Sequence, residues 1–160
     1  MSGIIGQGTG SKSGVVGQID RVFVGAFGPD GHVNVASGMA DVDLSKHTRL
    51  HPNWNDYITE SGNDVTIVRP GLYNFNCRVL ANCNAGAEVS LYVYLKGSII
   101  GNARVADTTG SDKWHTVQLQ FTAQLDAGDI MYQQLQNGNK GNYHHHSGND
   151  WTALQITYLG

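Results

Sequence analysis

Charge, cysteine and proline are all scarce in this chain, and it has no long apolar run. Only 14% of its 160 residues are Asp, Glu, Lys or Arg, and the formal net charge is −3. With no basic stripe or Lys/Arg cluster to meet phosphates, nucleic acid is not an expected partner. No apolar run approaches the ~20 residues that span a bilayer, so no membrane partner is expected either. The opening residues, Met-Ser-Gly-Ile-Ile-Gly-Gln-Gly, have neither a basic start nor an apolar core. Asn is abundant, yet no Asn-x-Ser/Thr acceptor occurs. Both features point to a protein made inside a cell and neither secreted nor glycosylated. The chain has two cysteines, Cys77 and Cys83, six positions apart on one predicted strand. Extended backbone separates them by about 20 Å, beyond disulfide reach. Two free core thiols are expected, consistent with a reducing compartment.

What the chain has in quantity is glycine (21 residues) together with many Asn, Gln, Ser and Thr, a composition suited to an all-β protein full of turns. Its length fits a single domain that buries roughly 70% of its unfolded surface. The organising stretch is Pro70–Cys83. Its odd positions from Tyr73 are Tyr73, Phe75, Cys77, Val79, Ala81 and Cys83, and its even ones are Asn74, Asn76, Arg78, Leu80 and Asn82. Side chains of a strand alternate between faces, so this is a half-buried strand with one apolar side. The same period runs through Val117, Leu119, Phe121, Ala123 and Leu125, interleaved with Gln118, Gln120, Thr122 and Gln124. Val89–Leu95 places Val89, Leu91, Val93 and Leu95 inward, with Tyr92 and Tyr94 outward, and Leu154, Ile156 and Tyr158 close the core. About eight to ten short strands with intervening turn signals predict a sandwich or jelly roll without helices. Residues 136–150 read as a Gly/Asn/His-rich loop. Residues 1–18 carry six glycines and read as an extended arm ahead of a single domain at 19–160.

The Pro70-Gly71-Leu72-Tyr73-Asn74-Phe75 strand resembles the C1q/TNF-like family of trimeric jelly rolls. Later signposts of that family follow in order: Leu91-Tyr92-Val93-Tyr94-Leu95-Lys96-Gly97, Val117 to Gly128-Asp129, and Trp151 to Leu159. The resemblance covers roughly residues 56–160 and implies an all-β jelly-roll β-sandwich and a homotrimer. It also implies that the strands at 73–83, 116–125 and 151–158 form the sheet facing the trimer axis. The outward residues there are Asn74, Asn76, Gln118, Gln120, Thr122, Gln155 and Thr157. Trimers of the family often pack apolar or aromatic residues at this place, so the expected interface is unusually rich in amides and partly wet.

No constellation reads as catalytic. The chain has no Gly-x-Ser-x-Gly elbow, no phosphate loop, and no Cys–His pair with an exposed thiol. His51, Asp56 and His115 are scattered candidates at most, and an enzyme is not expected. His144-His145-His146 is chemically conspicuous because imidazole binds transition metals. Adjacent histidines point in different directions, and no Cys or acidic partner stands at ligand spacing. Loop histidines are therefore preferred over a metal or pH-sensitive site. Ser-Gly-Asn-Asp occurs at 61–64 and again at 147–150. Without the Asp-x-Asp-x-Asp-Gly pattern of a calcium loop, both copies read as turns. No metal and no cofactor is expected. Trp54, Trp114 and Tyr143, with the three histidines, form the expected ligand or partner surface, since aromatic faces beside Asn and Asp bind sugars and anchor protein interfaces.

The Gly-Ile-Ile-Gly and Gly-Ser-Lys-Ser-Gly-Val-Val-Gly phrases of the arm resemble the N-termini of some bacteriophage virion proteins. Only about 18 residues precede the globular part, and they carry no coiled-coil heptad, collagen or β-helix repeat to serve as a shaft. The expected role is a non-enzymatic capsid decoration (cement) protein of a phage virion, assembled in the host cytoplasm. Its homotrimer would bind between capsomers, with Ile4, Ile5, Val15 and Val16 docking the arm onto the major capsid protein. The alternative is a receptor- or carbohydrate-binding knob of a tail fibre.

Overall fold

The computed structural model describes residues 20–26, 32–35, 38–42, 52–83, 88–106, 113–137, 143–146 and 153–160. These form twelve strands: β1 (Asp20–Ala26), β2 (His32–Val35), β3 (Gly38–Asp41), β4 (Ile58–Ser61), β5 (Asp64–Ile67), β6 (Gly71–Cys83), β7 (Glu88–Leu95), β8 (Ser98–Ala106), β9 (Lys113–Leu125), β10 (Ile130–Asn137), β11 (Tyr143–His146) and β12 (Ala153–Tyr158). The only helical element among the described residues is a 3-10 turn at Trp54–Asp56. Strands outnumber the eight to ten expected. The difference includes β3 and β11, four-residue pieces too short to show a period. β11 lies inside the stretch read from sequence as a loop.

Two six-stranded antiparallel sheets face each other. The first runs β1-β12-β6-β11-β2, with β9 along the other side of β6. The second runs β4-β5-β10-β7-β8, with β3 also paired to β10. Each sheet is thus built on one shared strand. β6 pairs with β9 along its whole length, Gly71↔Leu125 to Cys83↔Lys113, while β12 takes the first half of its other edge and β11 meets it at Ala81↔His145. The three strands expected to share a sheet do so.

The alternation in β6 sets the core. Tyr73, Phe75, Cys77, Val79 and Ala81 are completely buried, facing Ile58, Val65, Ile67, Leu91, Val93, Met131 and Leu135 of the second sheet. Every intervening residue of β6 with a described side chain except Leu80 keeps some exposure. Turn chemistry fixes the register. Lys96 (φ 53°) and Gly97 (φ 74°) form the two-residue β7–β8 turn, in which left-handed conformations match the strand twist. Gly71 is held at φ 154°, and a Cβ there would lie 2.5 Å from Tyr158 Cε2 and 2.9 Å from the Gly160 carbonyl oxygen. That close approach lets Leu72 N–H donate to the Gly160 carbonyl (2.7 Å) and Leu159 N–H to the Leu72 carbonyl (2.8 Å), fastening the last residues to β6.

One end of the sandwich is closed by aromatic rings. Tyr158 meets Tyr57 and Tyr73 edge-on, with centroids 5.2 Å apart in both cases. The Arg69 guanidinium sits 5.2 Å from the Tyr57 centroid and 4.8 Å from that of Tyr158. The Tyr73 hydroxyl donates to the Arg69 carbonyl at 2.6 Å. Burial pushes its pKa well above the usual tyrosine range.

Candidate assembly surface

The alternation that buries the odd residues of β6 presents its even residues on the outer face of the first sheet. Register then aligns them with their neighbours. Thr157, Asn74 and Thr122 form one row across β12, β6 and β9, and Gln155, Asn76 and Gln120 form the next. Gln118 follows, opposite Arg78. All seven residues expected at an assembly face therefore lie together. Their amides link strand to strand: Asn74 Nδ2 donates to Thr122 Oγ1 at 3.0 Å and to the Phe121 carbonyl at 3.2 Å. Gln118 Nε2 donates to Asn76 Oδ1 at 2.9 Å, and Gln120 Nε2 to Asn74 Oδ1 at 3.3 Å. A flat polar lattice results, and these side chains remain exposed or half-exposed.

A second feature was not legible as a surface. β9 and β8 are edge strands of their respective sheets and lie against each other. Here the apolar face of β9 is only partly covered: Leu119, Phe121 and Ala123 pack on the core yet stay half-exposed, as do Ala103 and Val105 of β8. At Gly101 of β8 a Cβ would lie 3.0 Å from Leu119 Cδ2 of β9. Ile99 and Ile100 stand exposed on the same edge strand. From sequence, Leu119, Phe121 and Ala123 read as ordinary core. Their openness depends on where β8 stops covering β9, which no local pattern encodes.

The remaining candidates divide. Trp54 is 9% exposed and belongs to the core, so it is not part of a partner surface: the 3-10 turn folds it inward. Trp114 remains 40% exposed on β9. Tyr143, His144, His145 and His146 form β11, between β2 and β6, and their side chains lie outside the described residues. So do Ile4, Ile5, Val15 and Val16, together with the rest of the arm. Among the described residues, no three His, Cys, Asp or Glu side chains are grouped to hold a metal, and no helix is long and apolar enough to cross a membrane. Cys77 is a free thiol sealed in the core, and burial pushes its pKa far up. Ser61–Asp64 makes the tight β4–β5 connection, with Gly62 at φ 61°. The second copy of that sequence, at 147–150, lies outside the described residues.

With this geometry established, the chain has the TNF-like jelly-roll fold. It is similar to murine APRIL in a crystal structure at pH 5.0 (TM-score 0.61, 14% identity, 86% of this chain and 98% of that one). It is equally similar to the Eiger TNF of S. frugiperda (TM-score 0.63, 16% identity, 86% and 92%). At these identities the likeness is one of fold. No known family pattern matches the sequence, and no curated protein matches it.

Proposed function

We propose that this chain is a non-enzymatic assembly protein that forms a homotrimer. The observation that carries this reading is the pairing of two different surfaces on one protomer. One is the half-open apolar edge of Leu119, Phe121 and Ala123, and the other is the flat amide lattice beside it. An edge that seats on the neighbour's face, rather than on its own copy, is a heterologous contact, and such contacts give a closed ring where the rotation between neighbours closes. A ring of three is the assembly expected of this fold. The contact would seal the apolar edge while the amides stay hydrogen-bonded, directly or through water. Sedimentation velocity tests the proposal. A single species of three chain masses is expected, and a monomer at micromolar concentration would overturn it.

Within that assembly, the role we propose is capsid decoration in a phage virion, with the N-terminal arm docking onto the major capsid protein. Its support is the Gly-Ile-Ile-Gly phrasing of the arm and the lack of any recognisable catalytic constellation. Copy number per particle, measured by quantitative mass spectrometry against the shell protein, is the test. Hundreds of copies in simple ratio to the shell are expected. A few copies would instead assign the chain to a tail fibre, and none would exclude the virion.

A further inference from the structure

The outer face of the second sheet carries a feature that trimer formation does not use. Tyr94 of β7 lies directly opposite Tyr132 of β10. Their rings stack with centroids 4.5 Å apart and planes 6° from parallel. Tyr92 stands one row away, opposite Gln134, and its hydroxyl donates to Gln136 Oε1 at 2.9 Å. All three tyrosines stay half-exposed. On the other side of β10, the pairs Ile130↔Thr66 and Met131↔Val65 bring Asp64 next to Tyr132 at the following step.

The polar groups around these rings are unequally committed. Asp41 already accepts at both oxygens, from Gln134 Nε2 at 2.8 Å and from Asn63 Nδ2 at 3.2 Å. Glu88 and Arg104 are paired with each other. Among the described residues, the Asp64 carboxylate has no hydrogen-bond or ion-pair partner, and it is only half-exposed. The Gln134 carbonyl oxygen and the Gln136 amide nitrogen are likewise left over once their opposite ends are used. The face therefore offers aromatic surface, one uncommitted acceptor able to take two donors, and amides that both donate and accept.

We propose that this face binds a neutral oligosaccharide, with the ring faces of Tyr94 and Tyr132 that point away from their mutual stack as the stacking surfaces and Asp64 as the acceptor for vicinal hydroxyls. A pyranose has one C–H-rich face suited to a tyrosine ring, and hydroxyls that each both donate and accept, as the side-chain amides here do. A basic peptide is the less favoured occupant, because all but one of the carboxylates on this face already have partners. Every residue invoked belongs to one protomer, so binding does not depend on the trimer.

The test uses the full chain on an array of neutral glucose, galactose, mannose and N-acetylglucosamine oligosaccharides. The strongest hit is then titrated by calorimetry in competition with a Lys/Arg-rich peptide. Asp64→Asn and Tyr94→Ala are each expected to weaken binding roughly tenfold or more, as loss of a charged acceptor or an aromatic anchor does. Gln124→Ala, exposed on the opposite sheet, is expected to leave it unchanged. Sedimentation of each variant reads assembly separately, so loss of the trimer cannot pass for loss of sugar. A blank array, binding that survives Asp64→Asn, or binding of the peptide alone would overturn the proposal. Because Asp64→Asn changes one half-exposed side chain, it keeps the test decisive should Tyr94→Ala fail to fold.

Discussion

Phe75 and Phe121 stack across β6 and β9, with ring centroids 4.8 Å apart and planes 10° from parallel. Phe75 is completely buried, whereas Phe121 remains half-exposed. The pair marks where core gives way to open edge. One ring belongs wholly to the protomer, and the other has contact area to spare for a neighbour.

Phe121→Lys is accordingly expected to break the assembly more than the fold. A cation in the contact seam is costly to desolvate, but in the monomer it can reach water along its stem. Sedimentation velocity should give monomers with a native far-UV circular dichroism spectrum. A trimeric variant would show that this edge is not the contact.

Gln133 offers a stabilising substitution. It is 2% exposed on the core side of β10, and neither its Nε2 nor its Oε1 has a hydrogen-bond partner. Gln133→Met keeps the length of the side chain and removes two unsatisfied groups, worth about 1–3 kcal/mol together. A rise in Tm of several degrees is expected. Unchanged or lower stability in urea titration would mean that the amide is satisfied, for instance by internal water.

Gly71→Ala should do the reverse. Its φ of 154° disfavours any side chain, and the new methyl would collide with Tyr158 and the Gly160 carbonyl oxygen. Tyr158 cannot easily yield, because Tyr57, Tyr73 and Arg69 hold its ring. A loss of about 2 kcal/mol or more is expected from denaturant unfolding. A loss below half that would mean that the C-terminal residues shift aside freely.

The Lys96–Asp129 pair sets a small pH dependence. Lys96 Nζ lies 2.8 Å from Asp129 Oδ2, which also accepts from Asp126 N–H at 2.8 Å. Hydrogen bonding to Lys96 holds the Asp129 carboxyl below its ordinary pKa, and the same bond raises that of Lys96. For a depressed carboxylate, the stabilisation is complete above the unfolded pKa of about 4 and fades as pH falls through the lower folded value. For the raised ammonium it is complete below about 10.4 and fades as pH rises through the higher folded value. Wild-type protein and Asp129→Asn should therefore differ in Tm at neutral pH and converge toward pH 2. A constant gap across that range would assign the effect to the turn rather than the charge.

Cys77 should resist alkylation in the native state. Iodoacetamide at pH 8, followed by peptide mapping, is expected to modify it only once denaturant opens the core, because the thiolate is the reactive form and burial suppresses it. Native labelling within minutes would indicate local opening of β6.

Much of the framework was legible in the sequence because it rests on local rules. Period-two alternation is a backbone property, so the two faces of β6 and β9 could be read directly, while the family resemblance implied that Asn74, Asn76, Gln118 and Gln120 share one sheet face. Features that depend on coverage by a distant strand could not be read. Phe75 and Phe121 have the same parity and chemistry, and only the reach of β8 makes one sealed and the other open. Trp54 looked like a surface anchor until the 3-10 turn packed it inward, and Tyr132 drew no notice until β10 set it against Tyr94. The sequence by itself determined strand identity, side-chain facing and turn positions, because φ/ψ preference and burial period act over a few residues. Tertiary structure decided which faces remain uncovered, because coverage is a relation between strands far apart in the chain.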